Sequence, residues 1–106
     1  MSLAAGLGLV RDGRYFEAHE VFEELWRAAD ADERDFYQGL VHVAVAPYQE
    51  SRGHEVAVRS QLAKAGRRLS PFTPTHHGVD VAALLAWVDR SLTLGRCDGP
   101  PPVSSS

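Results

Sequence analysis

The sequence predicts an all-α fold, a single compact domain of four to five helices packed orthogonally or as a bundle, and three observations predict it. Apolar residues recur at every third or fourth position in five successive stretches, which is the spacing of one buried helical face. Glycine, proline and aspartate punctuate the boundaries between those stretches. Finally, 106 residues with 44% hydrophobic and 24% charged side chains have the size and composition of one ordinary globular domain. Such a domain buries roughly two-thirds of the surface its unfolded chain exposes. The helical domain is expected over residues 1–97, followed by a Pro/Ser-rich flexible tail over 98–106.

In the first stretch Leu3, Leu7 and Val10 stand at i, i+4 and i+7, and Gly13 suits the left-handed residue that ends a helix. Gly6 and Gly8 make this helix a weak one. Residues 14–29 carry no glycine or proline and form the most regular helix. Asp30-Ala31-Asp32 separates it from the third, for which Asp32 is the expected cap, with Glu33 and Asp35 placed where the helix dipole favours negative charge.

Phe36, Tyr37, Leu40, Val41, Ala44, Val45 and Tyr48 cover most of the circumference of this third helix, so it should be central and the most buried. Gly39 within it costs about 1 kcal/mol relative to alanine, which is explained if another helix crosses closely there. Pro47 has no N–H for the Val43 carbonyl, so a kink near residues 43–47 or an early end is expected.

Ser51-Arg52-Gly53 reads as a turn, and a fourth helix from His54 or Glu55 to about Leu69 lines up Val58, Leu62, Ala65 and Leu69 on one stripe. Ser70–Gly78 holds two prolines and is the longest irregular segment inside the fold. Asp80 then caps a fifth helix, Val81 to about Leu94, with Leu84, Leu85, Val88 and Leu92 facing inward. Trp87 lies off that stripe, as a core edge or an interface anchor.

Several function classes are excluded by composition. Net charge is -3, and the nearest approach to a basic footprint, Arg59, Lys64, Arg67 and Arg68, reads as one solvated helical face rather than a nucleic-acid surface. A lone cysteine, Cys97, makes no internal disulfide. No segment has the length and hydropathy of a signal peptide or membrane span, so a cytoplasmic protein is expected. No serine has a nucleophile-elbow context, and no phosphate loop or dinucleotide fingerprint is present.

The densest chemistry is Tyr15–Arg27, with four glutamates, one histidine and four aromatic rings in thirteen residues. At 100° per residue, Tyr15, Ala18, Val21, Phe22, Leu25 and Trp26 fall on one arc of about 140°, and Glu17, Glu20, Glu23 and Glu24 on the other side. His19 sits at the seam beside Trp26, one turn from Glu23. As a structural pair, His19 and Glu23 fix a tautomer while the other glutamates are solvated. As a metal site, His19, Glu20 and Glu23 are half of a carboxylate-rich set, with His42 the candidate ligand from another helix. As a catalytic pocket, Glu23 or Glu20 acts as general base beside His19, walled by Tyr15, Trp26, Tyr37, Gln38, His42 and Tyr48. The adjacent His76 and His77 are expected to point apart in an exposed loop.

These residues resemble domain-of-unknown-function family 309. The resemblance rests on G-R-Y-F-E-A-H-E-V-F-E-E-L-W at Gly13–Trp26 and E-R-D-F-Y-Q-G-L-V at Glu33–Val41. The Ala-Val-Ala and Tyr48 that follow, Arg52-Gly53, and G-V-D-V-A-A-L-L from Gly78 extend it, so that it covers roughly residues 3 to 95. It implies an orthogonally packed multi-helix fold with a His-Glu-x-x-Glu-x-x-Trp helix, here His19, Glu20, Glu23 and Trp26, and it implies no reaction. The chain departs from the family at His42, where glutamine is frequent, and at Pro47, where a large apolar residue stands.

The leading expectation is a helical domain that binds a small ligand or protein partner in a groove beside helix 14–29, at Tyr15, His19, Glu23, Trp26, Tyr37, Gln38 and His42. No cofactor, nucleic acid or membrane is implied. The alternatives are a metal-assisted hydrolase using His19, Glu20, Glu23 and His42, and a homo-oligomer formed through apolar surface around Trp87.

Overall fold

Five helices form where the periodicity places them: α1 (Leu3–Arg11), α2 (Tyr15–Ala28), α3 (Arg34–Ser51), α4 (Glu55–Leu69) and α5 (Val81–Leu94). They are seen in a computed structural model that describes residues 2–103. Their ends have local causes. The Ser2 hydroxyl accepts from the Ala5 amide at 3.1 Å and caps α1. The Asp80 carboxylate accepts from the Ala83 amide at 3.0 Å and caps α5, while Gly95 ends that helix at φ 78°.

Each helix packs on its neighbours in sequence, with α3 between α2 and α4 and α5 closing on α4. The all-α prediction therefore holds. The radius of gyration, 12.3 Å, is close to the roughly 13 Å of a single folded domain of this length. As expected, α3 is central, burying nine of its eighteen residues. Gly39 lies at a close helix crossing: a Cβ built there would lie 2.6 Å from Cγ and Cδ2 of Leu69 on α4. Trp87, Phe22, Phe36, Leu40, Leu62, Leu69 and Leu84 fill the core.

Four expectations change. First, α3 neither ends early at Pro47 nor starts on an Asp32 cap; it runs through the buried Pro47 to Ser51, with Glu33 at the cap position. Packing against both α2 and α4 outweighs the one backbone hydrogen bond that proline removes. Second, the irregular segment has structure. A 3₁₀ turn (Ser70–Phe72) leads through a cis Thr73–Pro74 bond into an antiparallel hairpin, β1 (Thr75–His76) and β2 (Val79–Asp80). Its two-residue loop is His77-Gly78, with φ 49° and 77°, the positive pair a type I′ turn requires. The Ala82 amide donates to the Pro74 carbonyl at 3.0 Å and ties the hairpin to α5.

Third, Trp87 is 0% exposed, a residue of the core and not an interface anchor. Fourth, the first two residues of the segment expected to be flexible, Asp98 and Gly99, are bonded to α5. The Trp87 indole N–H donates to the Gly99 carbonyl at 3.1 Å, the Asp98 amide donates to Ser91 Oγ at 2.9 Å, and Arg90 pairs with Asp98 at 2.8 Å. Proline and serine content suggests mobility, but it says nothing of partners on another element. Ser104–Ser106 lie outside the described residues.

Candidate functional site

The amphipathic arc of α2 turns Ala18, Val21 and Phe22 into the core, so its charged residues face outward on either side of a buried spine. On the side toward α1 lies a groove of about 510 Å³, lined by Leu9, Glu17, Glu20, Val21, Glu23, Glu24 and Arg27. Two of these four carboxylates are engaged on α2 or at its start: Glu17 forms a two-pronged pair with Arg14, and Glu23 Oε2 lies 3.9 Å from Arg27. Glu20 and Glu24 make no ion pair among the described residues.

On the side toward α3, His19 is half inside. Its Nδ1–H donates to the Phe16 carbonyl at 2.5 Å, which turns Nε2 toward Glu23 Oε1 at 3.6 Å. Phe16 is 48% exposed and packs on both His19 and Tyr48 at ring-centroid distances of 4.9 and 5.3 Å. With Val45 and Gln49 these residues frame a cleft of about 200 Å³.

The other sequence-predicted site residues do not join this cleft. Tyr15 lies by Glu50 and Cys97, where burial first and those two groups second raise its pKa. Trp26 holds the Arg34 guanidinium 4.5 Å above its ring. Tyr37 packs edge-on against Phe36, and its pKa is raised by burial and then by Glu33. His42 faces α4 rather than α2: its Nδ1–H donates to Gln61 Oε1 at 2.6 Å, and Gln38 Nε2 approaches His42 Nε2 at 3.4 Å.

His42 is thus a neutral, satisfied core histidine. Burial is the main cause that lowers its pKa; the Gln61 hydrogen bond opposes it, and Lys64, Arg68 and Arg67 on α4 add to it. A base whose folded pKa is depressed stabilises the fold fully above its ordinary value of 6.5, and that stability is lost as pH falls toward the lowered folded value. The stability advantage of the wild type over His42→Gln should therefore shrink as pH falls from 7.5 to 5. Thermal unfolding across that range measures it; a gap independent of pH would show that His42 gains nothing from being neutral.

Cys97 is unsuited to nucleophilic work. Burial foremost, with Glu50 beside it, pushes its thiol up to about 12, and its amide donates to Glu50 Oε2 at 2.7 Å.

Metal-binding geometry appears elsewhere than on α2. Among the described residues, the one group of three or more histidine, cysteine and carboxylate side chains with ligand atoms within 4.8 Å of one another is Glu33, His76 and His77; His19, Glu20, Glu23 and His42 form no such group. Contrary to expectation, His76 and His77 do not point apart. His76 Nε2 lies 2.9 and 3.0 Å from the two Glu33 oxygens, and His77 Nε2 contacts Oε1 of the same carboxylate. The hydrogen bond to His76 first, and that to His77 second, holds the Glu33 carboxyl below its usual range. Neighbours on an extended strand alternate sides, but the positive φ of His77 swings its ring back beside that of His76, with centroids 4.2 Å apart. The signal in the sequence that points to this cluster is His77-Gly78 as the loop of a two-residue hairpin.

A model of a domain of unknown function, DUF309, matches residues 3–60. No curated protein and no solved structure matches the chain. No helix among the described residues is long and apolar enough to cross a membrane. The matched residues hold α1, α2, α3 and the start of α4, which is more than half of the sequence, and on that extent the chain belongs to the DUF309 family.

Proposed function

We propose that this domain is a binding module, and that the surface of α2 takes an arginine-rich segment of a partner protein. One observation carries the reading: four glutamates of a single helix line one groove, and two of them, Glu20 and Glu24, have no cationic partner among the described residues. Glu20 and Glu24 are one turn apart, and like charges at that spacing destabilise a helix by about 0.2–0.5 kcal/mol. A bound cation relieves that repulsion. Leu9 and Val21 supply an apolar floor, and across the helix the exposed Phe16 ring offers a face on which a guanidinium can stack. Glu23 lines the groove and His19 the cleft, 3.6 Å apart, so this pair lies between the two.

The test is calorimetric titration with a short oligoarginine peptide. Binding should weaken as salt rises, since exposed charges are screened. The variant Glu20→Lys/Glu24→Lys should bind at least about tenfold more weakly, a difference of 1.4 kcal/mol, while its helical circular dichroism is unchanged. Equal affinity in the variant, or no binding by the wild type at low salt, would overturn the reading.

A further inference from the structure

We propose that Glu33, His76 and His77 form a binding site for one divalent transition-metal ion, with zinc the foremost case, whose remaining coordination position is open to water or a small ligand. The site is separate from the α2 surface and independent of its function.

The donor set points to the class of ion. Two imidazole nitrogens and one carboxylate oxygen suit zinc and its neighbours, whereas magnesium and calcium prefer oxygen donors alone. Two histidines and a glutamate leave a fourth tetrahedral position free, the arrangement of zinc centres that hold a water. The geometry is close to what such an ion needs. Ligand atoms about 2.1 Å from a tetrahedral centre are about 3.4 Å from one another. The three donors here already lie within 4.8 Å of one another, with His76 Nε2 at 2.9 Å from Glu33 Oε1. Admitting an ion takes only a small opening of the ring of His77, which is 49% exposed.

The protein matrix holds the donors in place. Phe36 and Phe72 pack against the His76 ring at centroid distances of 4.7 and 4.8 Å, so its orientation is set by the core. Glu33 stands at the N-terminal cap of α3, where the helix dipole favours its charge and adds to the pull of the histidines. His77 is the one non-glycine residue with positive φ among those described, and that conformation is what brings the second imidazole to the same carboxylate. On its other side His77 borders a cleft of about 250 Å³ walled by Leu3, Leu7, Val79 and Val103. A water or small ligand on the ion would sit at the mouth of this largely apolar space.

Without an ion, the same three groups act as a latch, two imidazole N–H groups donating to one carboxylate, and the experiment separates latch from metal site. Protein made without an affinity tag and dialysed against a chelator is titrated with zinc chloride, and thermal unfolding is followed with zinc and with magnesium. Cobalt(II) provides a visible spectrum that reports coordination geometry. One equivalent of zinc should bind and raise Tm, magnesium should not, and cobalt should show the intense bands of a four-coordinate ion. His77→Asn keeps a residue that tolerates positive φ and should weaken zinc binding at least tenfold, as should Glu33→Gln, with the fold retained in both. His19→Ala should leave binding unchanged. Absence of stoichiometric binding, or binding that survives His77→Asn and Glu33→Gln, would overturn the proposal, as would binding abolished by His19→Ala.

Discussion

Replacing Trp87 by alanine is expected to destabilise the fold by about 3–5 kcal/mol, the usual cost of truncating a large buried aromatic ring. Trp87 is 0% exposed and is the largest side chain fully enclosed in the core, so the space it leaves cannot be filled without moving α5. It also carries the one hydrogen bond by which the core holds Gly99, through its indole N–H at 3.1 Å. Its removal therefore releases Gly99 as well as opening a cavity, while Asp98 keeps its bonds to Ser91 and Arg90. A domain of this size has about 5–15 kcal/mol of stability in all, and each kcal/mol corresponds to roughly 4–8 °C in Tm. The variant should melt at least about 12 °C lower by that conversion. Trp87→Phe should lose distinctly less, because it retains most of the buried ring and the Gly99 carbonyl can turn to water. Urea unfolding of both variants checks the order. A loss under about 1 kcal/mol for the alanine variant would contradict the burial of Trp87.

The second large effect is a reversal of sign at the crossing of α3 and α4. Gly39→Ala gains about 1 kcal/mol in helix propensity but places a methyl 2.6 Å from two carbons of the fully buried Leu69. Overpacking of this kind costs about 1–3 kcal/mol. Net destabilisation is expected because the neighbour is an enclosed side chain with nowhere to retreat. Leu69→Ala alone should cost about 2–5 kcal/mol through the cavity it creates. In that background Gly39→Ala should become stabilising, since its methyl then fills part of the void and the propensity gain is unopposed. A double-mutant cycle by denaturant unfolding measures the coupling, expected at about 1–3 kcal/mol. Additive effects would mean that the helices separate at residue 39 and that the glycine is there for a reason unrelated to the crossing.

The Gly39 crossing is legible in the sequence from one residue, because a glycine inside a regular helix costs stability that a close helix approach justifies. Pro47 misleads for a related reason: its local effect is real, but a helix packed on two sides tolerates the lost hydrogen bond. The α2 wheel correctly separates the buried arc from the glutamates. It cannot show that the outer glutamates line a groove, since the other wall, Leu9, comes from α1. His42 groups with His19 in a simple picture of the bundle in which both lie near α2, yet α3 is wide enough to turn one seam toward α2 and the other toward Gln61 on α4. The strongest metal-ligand geometry escapes a sequence reading that treats His76 and His77 as ordinary neighbours, because one of the two sits in a left-handed turn.

The sequence by itself determined the helices, their order, most of their boundaries and which face of each is apolar. These properties depend on neighbours within one or two turns, and periodicity, caps and glycines report them directly. Tertiary structure alone decided which residues meet: Glu33 with His76 across 43 positions, Glu50 with Cys97 across 47, and His42 with Gln61 across 19. Such meetings depend on how helices stack and how a two-residue turn is handed, and a side chain's own neighbours in sequence carry no record of either.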